Sequence, residues 1–123
     1  INYLNNCSKL IKHFNIIGIN DNQNIYEQKK IVKRYFNKDK FNIFLTHKPS
    51  LFKILDFPGL MLSGHTHNGQ IFPFNFIVKI KFQHIYGLFK KINTDLYVSS
   101  GSGCWGPRMR LGSDNEIVVL EFN

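Results

Sequence analysis

Phe41-Asn42-Ile43-Phe44-Leu45-Thr46-His47-Lys48-Pro49 is a β-prone apolar run that stops at a histidine and a proline. Further along, Met61-Leu62-Ser63-Gly64-His65-Thr66-His67-Asn68-Gly69-Gln70 repeats the arrangement, with a short apolar run closing on a glycine and two histidines. Between them, Ser50 through Phe57 reads as a short helix, with Ser50 as its N-cap and Pro58-Gly59 as its stop. Strand, helix, strand is a crossover unit, which makes the two strands parallel neighbours. The carboxyl ends of such neighbours are where open α/β sheets assemble their sites. His47 and His65 then leave the sheet side by side. If the backbone stays extended through Thr66, His67 shares a face with His65, because side chains alternate along a strand. Gly64 and Gly69 let the backbone turn closely around whatever sits there. Three imidazoles at one sheet end can bind a single metal ion or divide between two. The competing readings are exposed loop histidines for His65 and His67, and a capping or core histidine for His47.

Outward from this unit the chain reads as one α/β domain at most. Ile1 to Leu4 and Leu10 to Ile19 are strand-like, with a hairpin around Asn6-Cys7-Ser8. Asp21-Asn22-Gln23-Asn24 is a polar loop placed to cap a helix from Tyr26 to Phe36. That helix has Ile31, Val32, Tyr35 and Phe36 as its apolar stripe and Lys29, Lys30, Lys33 and Arg34 on its solvated face. Beyond Gln70, the stretch Ile71 to Phe82 mixes aromatics, a proline and lysines, and two readings are open. The expectation is a strand or loop packed into a core; the alternative is an exposed apolar lip, flanked by lysines, at a membrane interface or around an acyl chain. Ile85 to Phe89 and Leu96 to Ser99 alternate well enough to pair, and Glu116 to Phe122 reads as a final strand. The Gly-rich stretch from Ser100 to Gly112 is a loop able to approach a ligand closely.

Composition narrows the class. Hydrophobic residues make up 43% and charged residues 20%, which is globular and not disordered. Cys7 and Cys104 form no CxxC and imply no disulfide framework. The formal charge of +8 favours anionic partners such as phosphoesters or acidic headgroups. No nucleic-acid motif accompanies it, so no specific nucleic-acid binding is expected. The Ile71 to Phe82 run falls short of the roughly 20 apolar residues a spanning helix needs.

Leu45-Thr46-His47-Lys48-Pro49 followed by Ser63-Gly64-His65-Thr66-His67-Asn68-Gly69-Gln70-Ile71 resembles the last two signature blocks of the calcineurin-like metallophosphoesterases. Leu96-Tyr97-Val98-Ser99-Ser100-Gly101-Ser102-Gly103, then Pro107-Arg108 and Glu116-Ile117, resembles one bacterial, often membrane-associated branch. That branch includes the UDP-2,3-diacylglucosamine pyrophosphatases. The resemblance covers most of the chain from about Ile16 onward. It implies a four-layer α/β/β/α sandwich and a dinuclear site, with His47 and His65 on one divalent ion and His67 on the other. A mixed nitrogen and oxygen shell suits Mn, Zn or Fe.

The family also uses an Asp-x-His pair, a bridging Asp and an Asn-His pair nearer the N-terminus. No Asp-x-His and no Gly-Asn-His-Asp occurs in this chain, and Asp21 sits in a Gly-x-x-Asp turn that is not a ligand. Residues 1–123 are therefore expected to be the C-terminal portion of one such domain, with its catalytic carboxylates upstream of residue 1. Asp56, Asp95 and Asp114 fall in helical or turn contexts.

The leading expectation is hydrolysis of a phosphoester or pyrophosphate by a hydroxide held between two metals, incomplete in this chain alone. The substrate class implied is a phosphoester or a nucleotide-sugar lipid, with peripheral membrane contact, in the cytoplasm or at the cytoplasmic face of a bacterial inner membrane. A non-catalytic metal-binding or regulatory domain with a vestigial site is the second reading. Arg108 and Arg110 are candidate substrate-phosphate contacts because guanidinium forks match phosphate geometry; their alternative is surface charge or a clamp on carbonyls. Thr66 is read as orienting the imidazoles and Asn68 as donating to the site. His13, His84 and Cys104 are read as ordinary packing or surface residues.

Overall fold

Among the described residues, six strands hydrogen-bond into one mixed sheet. The computed structural model describes residues 3–122. The strands are β1 (Cys7–Ile11), β2 (Phe14–Gly18), β3 (Phe41–Leu45), β4 (Gly59–Ser63), β5 (Gly87–Lys90) and β6 (Thr94–Val98), and they lie in the order β1-β2-β3-β4-β6-β5 across the sheet. β2, β3, β4 and β6 are parallel neighbours, while β1 and β5 run antiparallel at the two edges. The helices are α1 (Ile25–Tyr35) and α2 (Phe74–Lys81). The chain is thus α/β, and the parallel pairing of β3 with β4 that the crossover demands is present, with Leu45 opposite Leu62.

Alternation sorts the sheet into two unlike faces. Ile17, Phe44, Met61, Leu96 and Val98 point to one side, where α1 contributes Ile31 and Val32 and the crossover contributes Leu51, Phe52 and Leu55. These residues are the core. Asn15 and Asn42 share the same face at its lower end. The Asn15 amide donates to Asn42 Oδ1 at 2.8 Å and to the Tyr35 carbonyl, so both buried amides are satisfied. On the other side, Phe14, Ile16, Phe41, Ile43, Leu45 and Leu62 are only half-buried or exposed. Phe122 stacks its edge there, on Phe14 and Phe41.

α1 begins where its sequence says. The Asn24 side chain accepts from the backbone N–H groups of Tyr26 and Glu27, both at 3.0 Å, and Glu27 in the first turn and Lys33 and Arg34 in the last complement the helix dipole. Elsewhere the boundaries shift. The hairpin turns at Lys12-His13 between Ile11 and Phe14, not around Asn6-Cys7-Ser8. Ile1 and Asn2 of the first expected strand lie outside the described residues, and Tyr3 and Leu4 precede β1 as irregular chain. The crossover is a single 3-10 turn, Pro49–Lys53, with Lys48 before it and no side-chain cap from Ser50. Proline at its first position fixes the entry, and one tight turn already seats Leu51 and Phe52 in the core.

Three further expectations are corrected. Ile71 to Phe82 is neither a strand nor a core-packed loop: it contains α2, none of whose residues is buried. Glu116 to Phe122 forms no strand, and Ile117 and Val119 are 88% and 80% exposed. Asp95 lies within β6, paired with Leu60 and Lys90, not in a turn. No helix among the described residues is long and apolar enough to cross a membrane.

Candidate metal centre

The β3–β4 ladder continues past the ends of both strands. Thr46 donates its N–H to the Leu62 carbonyl and Gly64 donates to the His47 carbonyl, each at 3.1 Å, while the Thr46 and Ser63 hydroxyls meet at 3.0 Å. This stitching carries His47 and His65 out of the sheet together. Their rings lie 4.6 Å apart, and His65 Nδ1 stands 2.8 Å from His47 Nε2. At that distance one ring can donate to the other, the direction set by their tautomers. Burial depresses the His65 pKa, and the neighbouring His47 and Lys48 depress it further, against the opposing pull of Asp21. Asp21 is itself tied to Lys48 at 2.7 Å. The shift favours the neutral form of the His65 ring, which is the state a metal ligand requires.

His67 does not share a strand face with His65. β4 ends at Ser63, and the chain then turns through left-handed backbone at His65, His67, Asn68 and Gln70, with φ of 70°, 48°, 51° and 46°. Such conformations are sparsely populated by non-glycine residues and persist only where the surroundings over-determine them. His67 faces the loop after β6 instead. Its Nδ1 is 3.4 Å from Arg110 Nη2, and it too is held neutral, first by burial and then by the Arg110 charge. Among the described residues no three His, Cys, Asp or Glu side chains converge as a metal-holding group. The chain thus presents a close imidazole pair and a separate third imidazole. Imidazole donors in that arrangement fit divalent metal ions, each ion needing further ligands.

Arg110 is committed to carbonyls. Its guanidinium donates to the backbone oxygens of His67 (3.3 Å), Ser100 (2.7 Å), Gly101 (3.3 Å) and Asp114 (3.2 Å), and to Gly103. This is the clamp alternative, and a phosphate at Arg110 would have to displace these bonds. Arg108 is exposed and away from the imidazoles' hydrogen bonds. The Thr66 hydroxyl makes no hydrogen bond to an imidazole among the described residues; it donates to the Ile85 carbonyl. Asn68 makes no side-chain hydrogen bond among the described residues, its contribution being the left-handed backbone. His84 is wedged edge-on between Phe52 and Phe89. Cys7 and Cys104 are both free thiols.

Two residues given no role by the sequence hold the site's walls. The Gln70 amide is buried, accepting from Trp105 N–H at 2.7 Å and donating to the Trp105, Pro107 and Met109 carbonyls. A polar residue directly after a glycine turn was the only sign of it. Glu116 latches the loop after β6. Its carboxylate accepts from Ser100 N–H at 2.9 Å and from the Tyr86 and Tyr97 hydroxyls, and its own N–H donates to the Gly101 carbonyl.

That latch gives a pH prediction. Burial would raise the Glu116 pKa, but the donors from Ser100, Ser99, Tyr86 and Tyr97 outweigh it and hold the carboxyl below its ordinary value. A depressed pKa contributes stability that is present above the unfolded value and is lost as pH falls through the folded one. Glu116→Gln is therefore expected to lower the thermal midpoint at neutral pH. Its deficit against the parent should shrink between about pH 5 and pH 3. A deficit that stays constant across that range in calorimetry would mean the carboxylate charge contributes nothing. Tyr97, pushed up to about 12 by burial and by Glu116, acts at the other limb. Its raised pKa favours the folded state below the unfolded value near 10, and this is lost as pH climbs toward the folded value.

Comparison with known proteins places these features in context. The chain is 48% identical over 95 residues to an uncharacterized metallophosphoesterase of Campylobacter jejuni, covering 74% of this chain and 25% of that protein. It is 43% identical over 90 residues to an uncharacterized metallophosphoesterase of Helicobacter pylori, covering 70% of this chain and 24% of the relative. An uncharacterized metallophosphoesterase of Aquifex aeolicus is 31% identical over 115 residues, 85% of this chain and 44% of the relative. The chain thus spans between a quarter and somewhat under half the length of these relatives. No protein-family model and no solved structure matches it.

Proposed function

We propose that this chain, homologous to metallophosphoesterases, is part of a hydrolase acting on phosphoesters with the help of two divalent ions. The observation that carries the proposal is the meeting of His65 Nδ1 and His47 Nε2 at 2.8 Å at the end of two parallel strands. His47 and His65 would hold one ion and His67 the other, with the carboxylate ligands supplied from outside the described residues. When bound, the ions supply Lewis acidity, polarising a phosphoryl oxygen and lowering the pKa of the attacking water. The chain's own part is to favour the neutral forms of His65 and His67 and to fix all three imidazoles in place. The strand ladder aims His47 and His65, and the Arg110 clamp holds the His67 backbone and ring. Fixing a ligand's second nitrogen and its backbone is how surrounding groups set metal affinity.

The finer assignments follow the same reading. The half-covered apolar face of β2, β3 and β4 carries no charged side chain, which supports a second sheet packed there in the four-layer sandwich. A nucleotide-sugar lipid as substrate rests on the resemblance of Leu96–Gly103, Pro107-Arg108 and Glu116-Ile117 to the UDP-2,3-diacylglucosamine pyrophosphatase branch.

The test is turnover by the intact protein. With Mn, Zn or Fe(II) supplied, a chromogenic bis-phosphodiester should be hydrolysed, activity should vanish on chelation, and metal should restore it. Metal bound without hydrolysis of that ester or of a UDP-linked lipid would favour the vestigial, regulatory reading instead. Hydrolysis of the ester alone would remove only the lipid-linked substrate.

A further inference from the structure

α2 is turned inside out. At 100° per residue, Asn75, Val78 and Phe82 lie on its inner side, and all three are half-buried. Phe76, Ile77 and Ile80 form the outer side and are 56%, 63% and 88% exposed. Lys79 and Lys81 fall on the two borders of that outer stripe. The loop after β6 extends the surface. Phe72 N–H donates to the Leu111 carbonyl at 2.8 Å, and the Gln70 amide fixes the backbone at Trp105 and Met109. Trp105, Met109 and Leu111 are themselves 77%, 53% and 57% exposed.

Charge decides what this surface fits. From Phe57 to Ser113 the sole acidic residue is Asp95, on β6. Lys79, Lys81 and Arg108 are left without a nearby carboxylate in the sequence around them. A face meant for a second protein layer looks different: the open side of β2, β3 and β4 is apolar with no charge at all. An outward apolar stripe bordered by lysines, with an exposed tryptophan beside it, is the pattern of a helix lying in a lipid interface.

We propose that the outer face of α2, with Trp105, Met109 and Leu111, docks on an anionic lipid layer, entering the interface without spanning it. α2 itself sits beside the imidazoles through its inner side, where the Phe82 ring is 5.3 Å from that of His65. The inference goes beyond the phosphoesterase reading and does not depend on it, because it needs no metal.

The experiment is co-sedimentation of the intact protein with vesicles in chelator-containing buffer. Vesicles of phosphatidylcholine and phosphatidylglycerol in equal parts should bind it at least about tenfold more tightly than phosphatidylcholine alone. Phe76→Ser with Ile80→Ser should weaken binding to both by about tenfold or more. Both positions face solvent, and circular dichroism should show the fold unchanged. Lys79→Glu with Lys81→Glu should erase the preference for the anionic vesicles while leaving the weaker binding to neutral ones. Failure of the parent to bind anionic vesicles overturns the proposal, as does equal binding by the Ser pair. If the parent is a dimer that the Ser pair converts to monomer while neither binds vesicles, the face is an interface between copies.

Discussion

His65→Ala is expected to lower metal-dependent phosphodiester turnover by the intact protein about a thousandfold or more, with the thermal midpoint within a degree or two of the parent. The two halves of that expectation come from different features. His65 is only half-buried and sits beyond the end of β4, so its ring contributes little to the core. Its Nδ1 lies 2.8 Å from His47 Nε2, and removing it takes away half of the only close donor pair among the described histidines. His47→Ala should act alike, and bound metal per chain should fall with activity in both. His67→Ala should also abolish turnover. Arg110→Lys should do less, about 10–100-fold, because a point charge cannot span the carbonyls the guanidinium now bridges. Full turnover in both His65→Ala and His67→Ala would sink the mechanism. Metal retained with turnover lost would shift those residues from ligands to groups acting on the substrate.

What the sequence disclosed and what it hid divide along one physical line. The crossover was legible because Phe41 to Leu45 and Met61 to Ser63 are continuous apolar runs ending in chemistry, and ladder geometry then fixes where His47 and His65 meet. The cap at Asn24 and the pairing of β5 with β6 were legible for the same local reasons. His67 was misplaced because the same-face argument assumes extended backbone. Four left-handed non-glycine residues in a run of six, His65 to Gln70, are not predictable from their types. α2 was misread because its apolar side faces outward, so its composition imitates a core element. The run Ile117-Val118-Val119-Leu120 has strand composition, but it pairs with neither edge strand, β1 or β5, and pairing decides strands more than propensity does. Arg110 stayed open between a phosphate contact, surface charge and a carbonyl clamp, since nothing local reveals the carbonyls that the folded loop brings to it.

Gly69→Ala is the substitution expected to do the most damage to the fold around the site, costing about 2–4 kcal/mol. Two penalties combine there. Gly69 has φ of +75°, and an added Cβ would fall 2.3 Å from Asn75 Cα and 2.5 Å from Asn75 Cβ. The clash is with the backbone of α2, which cannot swing aside as a long side chain could. The helix must lift from the His67–Gly69 turn, taking with it Asn75, whose Oδ1 is already buried without a hydrogen-bond partner among the described residues. Two other glycines separate the contributions. Gly87 has φ of +93° with nothing within 4 Å, so Gly87→Ala should show backbone strain alone, about 1 kcal/mol. Gly103 has open space and no left-handed φ, so Gly103→Ala should be neutral within about 0.5 kcal/mol. In thermal denaturation Gly69→Ala should fall about 8–15 °C below the parent, well beyond Gly87→Ala. Equal midpoints for those two variants would mean that α2 is not seated on the turn. Because the turn carries His67, Gly69→Ala should also lose turnover below the melting range, whereas Gly87→Ala, on the far edge strand, should keep it.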